Sequence, residues 1–434
     1  MPTQPIPTTL TAHLQPGRRA RREFLRTATA LAAGVGLGVG PCMPALAGAA
    51  ADSWTATWGT APAGPPVAGS ALSFSNQTLR LIAHASIGGS RVRVRLSNEM
   101  GNTPLQLGGA WIGVVSSGAN LVAGSNRQLS FAGRIAATIA AGAPLLSDPV
   151  DLLVPLEANL AVSLYLPGNV LATTVHDAAF QTSYASTTGD YTAAATLPVS
   201  RSLYSWPFLT EIDVSTSAPG AALVAIGDSQ TDGARSSGSA NKRWTDCLAR
   251  RLLAETLPCG CPVGVVNRGI SGNRLLGDAD NTPLSGKDAL ERFDRDVLGT
   301  AGVRYLAVLL GINDIVNVSS SSLPTFHEDI IAGYVQLIAR AHTRGVQVFG
   351  ATLLPFEGFT WYSAARDAVR QRVNDWIRTA GAFDAVFDFD AALRDPDQPL
   401  RLLAAYDGGD HLHPNDLGFE ALAASVPLSI FTAD

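Results

Sequence analysis

The sequence has 434 residues, of which 46% are hydrophobic and 15% are charged, and its formal net charge at pH 7 is −5. This composition is typical of a soluble globular protein, and the length leaves room for two domains. Because binding to a phosphate backbone requires a basic face, the acidic balance argues against nucleic acid as the main partner.

Residues 1–47 have the pattern of an export signal. The basic segment Arg18–Arg26 precedes a short run of small apolar residues, and Ala45–Ala47 is a small-x-small cleavage site. The pair Arg21-Arg22 is typical of a twin-arginine signal, with a general secretory signal as the alternative. Cleavage after Ala47 removes five Arg and one Glu, which changes the net charge to −9. We therefore expect a periplasmic or extracellular protein without a stable membrane anchor.

Residues 48–218 are predicted to form an accessory β domain of the sandwich or jelly-roll type. Apolar and polar residues alternate in Leu79–His84, Arg91–Leu96 and Leu160–Leu166, and turn residues separate these segments. The third strand is expected to end at the turn Pro167–Asn169.

After a linker at Ser215–Gly220, residues 219–434 change to continuous apolar strands that alternate with helices. The predicted strands are Ala221–Ile226, Val263–Val266, Tyr305–Leu310, Val346–Leu353 and Ala385–Phe387, and the predicted helices are Arg243–Glu255, Phe326–Thr343, 363–379 and Asn415–Ser425. This alternation predicts a doubly wound, flavodoxin-like parallel α/β sheet. Ligands bind at the carboxyl ends of the strands in such sheets.

Four short motifs are expected to lie together at that edge of the sheet. They are Gly227–Gly233, Asn267–Asn273, Gly311–Asp314 and Asp410–Pro414. Ser229 lies on a tight turn after the first strand, where its hydroxyl can face a cleft. Taken alone, this motif is equally consistent with a structural turn of small polar residues.

In these motifs the sequence resembles the SGNH hydrolase family, also called the GDSL esterases, over about residues 221–427. The resemblance implies a serine ester hydrolase that uses neither a cofactor nor a metal. The order of a β domain before this half is similar to some bacterial carbohydrate esterases of the family. The residues that the resemblance implies are the nucleophile Ser229, the base His413 with Asp410, and an oxyanion hole of Ser229, Gly272 and Asn313.

These implied roles agree with elementary chemistry. A serine hydroxyl becomes a good nucleophile when a base takes its proton, and imidazole titrates at a pKa of about 6.5. A carboxylate can hold the imidazole in the correct tautomer, and oriented N–H donors stabilise the oxyanion. Asp228 is expected to stabilise its turn by hydrogen bonding to the backbone. Gln230 and Arg268 depart from the family pattern at positions without a catalytic role, so the resemblance extends to the mechanism but not to substrate preference.

Other functions remain as alternatives. Asp410, His411 and His413 form an alternative metal-binding set, although His411 is expected to point away from the site. A non-catalytic carbohydrate-binding protein is an alternative from another class, and the intact motif residues argue against it. His176 is expected to lie in the core or at the surface rather than at the cleft.

We expect short acyl esters as substrates, most specifically acetyl groups on a polysaccharide, with lipid or aryl esters as the alternative. The segment Ser271–Asp296 is polar, whereas a lipase usually exposes a broad apolar patch. Trp244, Trp361 and Tyr362 can line a sugar site, with the core as the alternative location.

The three cysteines after the predicted signal leave two possibilities open. Cys247 can form a disulfide with Cys259 or with Cys261, or all three can be free thiols. Their spacing does not match a zinc site.

Overall fold

The computed structural model describes residues 53–65, 71–216, 219–279 and 283–432. The predicted export signal therefore lies outside the described residues. Everything described below belongs to one compact unit, Asp52–Asp434, and the predicted division at residue 218 stays a prediction. None of the described helices is both long enough and apolar enough to cross a bilayer.

The first part, residues 54–216, is called the β region here. Two antiparallel sheets share one apolar core, with the strand orders β1-β16-β3-β10 and β14-β13-β2-β11-β5-β6. The predicted antiparallel β architecture is confirmed. The strands are β1 Trp54–Gly59, β2 Ser73–His84, β3 Gly89–Ser97, β4 Leu105–Leu107, β5 Gly109–Ser117, β6 Asn120–Leu121, β7 Arg127–Gln128, β8 Ala137–Ile139, β9 Pro144–Leu146, β10 Val150–Val154, β11 Asn159–Leu171, β12 Val175–His176, β13 Ser183–Thr188, β14 Val199–Leu203, β15 Trp206–Pro207 and β16 Leu209–Ser215.

The predicted turn at Pro167–Asn169 is wrong. Strand β11 continues through it to Leu171, and its pairing with β2 shifts register between Leu166 and Asn169. A bulge absorbs the proline and the glycine there without ending the strand.

The second part, residues 219–432, is called the α/β region. Its five strands are all parallel in the order β18-β17-β19-β20-β21. This order confirms the predicted flavodoxin-like sheet. The strands are β17 Ala221–Gly227, β18 Val263–Gly269, β19 Val303–Leu309, β20 Gln347–Ala351 and β21 Ala385–Phe387. The helices are α1 Ser229–Asp232, α2 Trp244–Ala254, α3 Ala289–Phe293, α4 Ile312–Asn317, α5 Phe326–His342, α6 Ala364–Thr379, α7 Phe389–Leu393 and α8 Asp416–Ser425, and a π-helical turn, Asp294–Leu298, follows α3.

Strand β1 of the β region packs against β18 of the α/β region. The backbones approach so closely that a Cβ at Gly264 would overlap the carbonyl oxygen of Ala56, and a Cβ at Gly59 would lie 2.7 Å from Val266 Cγ1. Glycine is therefore required on both sides of this contact.

A buried ion pair joins the same two regions. The Arg268 side chain at the end of β18 is 2% exposed and binds Glu211 on β16. Its guanidinium also donates to the carbonyl oxygens of Thr60 and Thr210. Arg268 therefore has a structural role across the two regions.

Of the two possibilities for the cysteines, the structure contains no disulfide, and Cys247, Cys259 and Cys261 are free thiols. Cys247 is buried on α2, where Arg250 Nη2 donates to its sulfur at 3.1 Å. The other two sulfurs lie 2.7 Å from each other in the loop before β18. The alternative of three unpaired thiols is the one that the structure contains, because Cys247 faces the core from its helix.

Candidate active site

Ser229 lies at the first residue of α1, directly after the first strand of the α/β sheet. Asp228 caps this short helix, with Oδ1 accepting a hydrogen bond from the backbone N–H of Gln230 at 3.0 Å. The helix ends at Gly233, whose φ of 106° requires glycine. The turn leaves Ser229 8% exposed at the carboxyl edge of the sheet.

The structure brings Ser229, His413 and Asp410 together in one hydrogen-bonded chain. His413 Nε2 lies 2.8 Å from Ser229 Oγ, and His413 Nδ1 lies 2.8 Å from Asp410 Oδ2. Asp410 Oδ1 accepts from the backbone N–H groups of Leu412 and His413. Arg235 Nε donates to Asp410 Oδ2 at 2.9 Å.

These contacts keep Asp410 ionised. Burial acts to raise its pKa, but hydrogen bonds from the His413 backbone and ring and from Arg235 hold the pKa of Asp410 well below its usual range. The carboxylate can therefore only accept hydrogen bonds, so Nδ1 of His413 carries a proton. In the neutral ring, Nε2 is then the acceptor for the Ser229 hydroxyl.

Gly272 lies on the loop after β18, and Asn313 lies in the first turn of α4, the short helix that follows β19. Gly272 has a φ of 81°, and a Cβ there would lie 2.6 Å from Ser285 Oγ. Asn313 Nδ2 donates one hydrogen bond to the carbonyl oxygen of Asn273 at 3.1 Å, which leaves its second N–H free to donate elsewhere. Among the described residues, no oxygen accepts a hydrogen bond from the backbone N–H of Ser229 or of Gly272.

Two residues that the sequence did not single out hold these loops in place. Asp314 is buried, and its carboxylate accepts hydrogen bonds from the backbone N–H groups of Leu275 and Leu276. Burial raises the pKa of Asp314 to about 6.

The second of these residues, Arg292 on α3, donates to the Asn273 side chain and to the Gly227 carbonyl oxygen. The Asp directly after Asn313 was visible in its motif, whereas nothing local in sequence marks Arg292.

Gln230 is another positioning residue. It is buried, and its Nε2 donates to the carbonyl oxygen of Leu412 at 3.0 Å. It therefore links the Ser229 turn to the loop that carries His413. This contact explains a glutamine at that position without any contact with substrate.

His411 points away from His413, as expected. Its backbone has a φ of 62°, and its Nδ1 lies 2.5 Å from Asp407 Oδ2. The only set of His, Cys, Asp and Glu donors within metal-binding distance among the described residues lies elsewhere, on Asp278, Asp288 and Glu291. The geometry thus gives no support to the alternative set of Asp410, His411 and His413.

The three aromatic candidates have different environments. Trp244 is in the core, with its ring against Phe389, which is the location given as its alternative to a sugar site. Tyr362 is half-buried and packs on Phe356. Trp361 is 52% exposed and is therefore the one aromatic of the three that is free to stack on a ligand.

The α/β region is similar to known proteins. Residues 225–421 match the model of the GDSL-like lipase/acylhydrolase family. None of the curated proteins matches the sequence.

Solved structures that are similar to this chain include three esterases or lipases. A variant of an acetyl xylan esterase from Geobacillus stearothermophilus has 23% identity and a TM-score of 0.37, and the match covers 50% of this chain and 98% of that one. The native aryl esterase of M. smegmatis has 17% identity and a TM-score of 0.36, with coverages of 48% and 96%. A GDSL-like lipase from Bacteroides thetaiotaomicron has 18% identity and a TM-score of 0.34, with coverages of 48% and 87%.

At these values of identity and TM-score, no conclusion about substrate follows from the solved structures. The family model matches the whole stretch that carries Ser229, Gly272, Asn313 and His413. Residues 225–421 of this chain therefore form a GDSL-like lipase/acylhydrolase domain.

Proposed function

We propose that Ser229 is the nucleophile of this ester hydrolase, with His413 as general base and Asp410 as the carboxylate that orients the base. The observation that carries the proposal is the continuous chain of two 2.8 Å hydrogen bonds from Ser229 through His413 to Asp410. Nucleophile, base and orienting group within hydrogen-bond reach form the arrangement that serine acyl transfer requires.

In the first half of the reaction, Ser229 Oγ attacks the ester carbonyl carbon while its proton passes to His413 Nε2. Asp410 stabilises the imidazolium that forms. The tetrahedral intermediate then collapses, the C–O bond to the alcohol breaks, and His413 returns the proton to the leaving oxygen. An acyl group remains on Ser229. In the second half, a water molecule gives a proton to His413 Nε2 as its oxygen attacks the acyl carbon. The bond from that carbon to Ser229 Oγ then breaks, His413 returns the proton to Ser229 Oγ, and the acid is released.

The oxyanion of each tetrahedral intermediate needs donors that are already in place. We assign this role to the backbone N–H groups of Ser229 and Gly272 and to the side chain of Asn313. Each has an N–H that is not taken up by another described residue. Loss of one such donor in other acyl-transfer enzymes lowers kcat by roughly 10²–10³-fold.

For the substrate, we propose short acyl esters, and specifically acetyl groups on a polysaccharide. The half-exposed ring of Trp361 lies in the loop beside His411, since a Cβ at Gly358 of that loop would lie 2.8 Å from the His411 ring. The segment after Gly272 presents charged side chains, including the exposed pair Lys287 and Asp278. An aromatic face and a polar rim suit a hydroxyl-rich partner better than a long acyl chain.

The test is hydrolysis of p-nitrophenyl esters from two to sixteen carbons, together with acetate release from acetylated polysaccharides. We expect the highest kcat/KM at two to four carbons and release of acetate, and we expect Ser229→Ala to abolish both while it remains folded. A maximum at long chains without acetate release would favour the lipolytic alternative. Full activity of folded Ser229→Ala would overturn the assigned nucleophile.

Trp361 allows a sharper test of the polysaccharide. Trp361→Ala should raise KM for the acetylated polymer several-fold and leave kcat/KM for p-nitrophenyl acetate within about twofold, because only the polymer reaches the ring. Val335→Ala is the matched control, since it removes an exposed apolar side chain from α5 of the same region. Equal effects of Trp361→Ala on both substrates would contradict a sugar-stacking role.

Export is proposed on the sequence pattern alone. Replacing Arg21 and Arg22 together with Lys should stop transport by a twin-arginine route, because the paired guanidinium groups are lost. Unchanged export of the double variant would indicate the general secretory route.

A further inference from the structure

One histidine of the β region lies against the first helix of the α/β region. His176 on β12 is 3% exposed, and its Nε2 lies 3.0 Å from Asp232 Oδ1. Its Nδ1 lies 3.0 Å from the carbonyl oxygen of Ala61. Asp232 is the last residue of α1, the helix that begins with Ser229.

Both ring nitrogens of His176 face oxygen atoms that act as acceptors. A carbonyl oxygen can only accept, and a carboxylate can only accept, so each nitrogen must carry a proton. His176 is therefore an imidazolium that is paired with the Asp232 carboxylate inside the protein. A buried ion pair of this kind fixes the positions of both side chains, because a movement that breaks either hydrogen bond leaves a buried charge without a partner.

The second oxygen of Asp232 continues the contact to the proposed oxyanion loop. Asp232 Oδ2 accepts hydrogen bonds from the backbone N–H of Ser271 at 2.9 Å and from Ser271 Oγ at 2.7 Å. Ser271 immediately precedes Gly272. One carboxylate thus connects a side chain of the β region to the peptide unit that carries the Gly272 N–H.

We propose that His176 is a positioning residue for ester hydrolysis, which acts through Asp232 to fix the Ser271–Gly272 backbone and so to aim the Gly272 N–H at the oxyanion. The inference rests on the proposed function. It makes the β region a part of the hydrolytic machinery in addition to any binding role.

The effect is expected in kcat rather than in KM. An oxyanion donor is used mainly in the transition state, and a displacement of about 1 Å in a positioned group can cost up to about 10²-fold in rate. His176→Gln removes the charge and one of the two donors, while its amide retains some packing. We expect kcat for p-nitrophenyl acetate to fall about tenfold, with KM unchanged within about twofold.

The experiment is a double-variant cycle in the full-length protein. His176→Gln and Ser271→Ala should each lower kcat, and their combination should lower it by less than the product of the two, because both act on one carboxylate. Ser271→Thr, which keeps the hydroxyl, should restore most of kcat relative to Ser271→Ala.

Ser86→Ala is the matched control. Ser86 Oγ accepts a hydrogen bond from the backbone N–H of Val265 at 2.9 Å, so it also joins the β region to the α/β region, but it has no contact with Asp232. We expect Ser86→Ala to lower stability and to leave kcat within about twofold, with additive effects when it is combined with Ser271→Ala.

Several results would overturn the inference. Each of three outcomes would mean that His176 is only a structural contact. The first is an unchanged kcat in folded His176→Gln, and the second is a double variant with Ser271→Ala whose loss of kcat equals the product of the two single losses. The third is an equal loss of kcat in Ser86→Ala. If His176→Gln does not fold, Ser271→Ala decides, because unchanged kcat in that variant rejects the path. Activity that survives in folded Ser229→Ala would instead reject the proposed function, so the two failures are distinguishable.

Discussion

The α/β region and the β region contribute to this enzyme in different ways. All of the residues that we assign to the reaction lie in the α/β region, on the short helices or loops that directly follow its first three strands or on the loop before its last helix. The β region supplies side chains that reach across to those loops, notably Glu211 and His176, each bound to a residue distant in sequence. The reacting groups are thus encoded in short motifs, whereas the polar contacts that hold the motifs in place join residues that are distant in the chain.

The largest expected effect tests the α/β side of this comparison. Asp410→Asn should lower kcat by about 10³–10⁴-fold, because an amide no longer fixes the His413 tautomer or stabilises the imidazolium. Circular dichroism should show a folded protein. Asp407→Asn is the control, since Asp407 holds His411 in the same loop with a similar contact. A similar loss of kcat in both variants would mean that the loop, and not the orienting carboxylate, had been damaged.

Glu211→Ala tests the β side. It leaves the buried charge of Arg268 without its partner, which should lower the free energy of unfolding by about 3–5 kcal/mol in urea denaturation. Asp294→Ala breaks the exposed pair with Arg340 on the α/β region and should cost less than about 1 kcal/mol. Equal costs would show that the contact between the two regions adds little to stability.

Gly264→Ala tests the close approach of β1 and β18. The added methyl group overlaps the Ala56 carbonyl oxygen, so one strand must shift, and we expect a loss of about 1–3 kcal/mol. Gly238→Ala places a methyl group where no atom lies within 4 Å and should be close to neutral. If Gly264→Ala were as stable as the wild type, the packing of the two regions would be looser than described.

The smallest effect concerns pH. Burial acts to lower the pKa of His176, and the charge of Arg243 acts in the same direction. The charge and hydrogen bond of Asp232 and the Ala61 carbonyl oxygen outweigh them and raise this pKa. Asp177 is a further charged group that interacts with the ring. Because the pKa of His176 is higher in the folded state, its protonation stabilises the fold fully at pH values below the unfolded-state pKa of about 6.5. This contribution to stability is lost as the pH rises through the folded-state pKa. The Tm deficit of His176→Gln should therefore shrink by about 1–2 °C from pH 6 to alkaline pH. Ser86→Ala should show a constant deficit, and a constant deficit in His176→Gln would contradict the charged pair.

Much of the α/β region could be predicted from the sequence because its elements have strong local patterns. The helix expected at Phe326–Thr343 spans Phe326–His342, and the strand expected at Ala385–Phe387 has those bounds. The location of the four motifs at one edge of the sheet could be inferred because the strands before them are buried on both faces, which indicates a parallel sheet with its strand ends on the same side. Short motifs at strand ends could therefore be placed together before any coordinates were known.

The features of the fold that could not be predicted from the sequence depend on contacts that no local pattern encodes. The Pro167-Gly168 pair looks like a turn, yet pairing of β11 with β2 on either side carries the strand through it. The partner of Arg268 is 57 residues away and that of His176 is 56 residues away, each in the other region. Neither the partners nor the burial of these two side chains could be inferred from the sequence, because both depend on the packing of β1 on β18.

The position of β1 has a consequence for how a nascent chain matures. Trp54–Gly59 is synthesised before every other described strand, yet it pairs with Leu209–Ser215 and packs on Val263–Gly269. Since chains emerge from the ribosome in order, this strand lacks its paired strand and its packing partner until both later segments have been made. An unpaired strand edge is prone to aberrant pairing in that interval. We therefore expect the earliest strand to be among the last to be secured, so that completion of the β region waits for the first βαβ unit of the hydrolase.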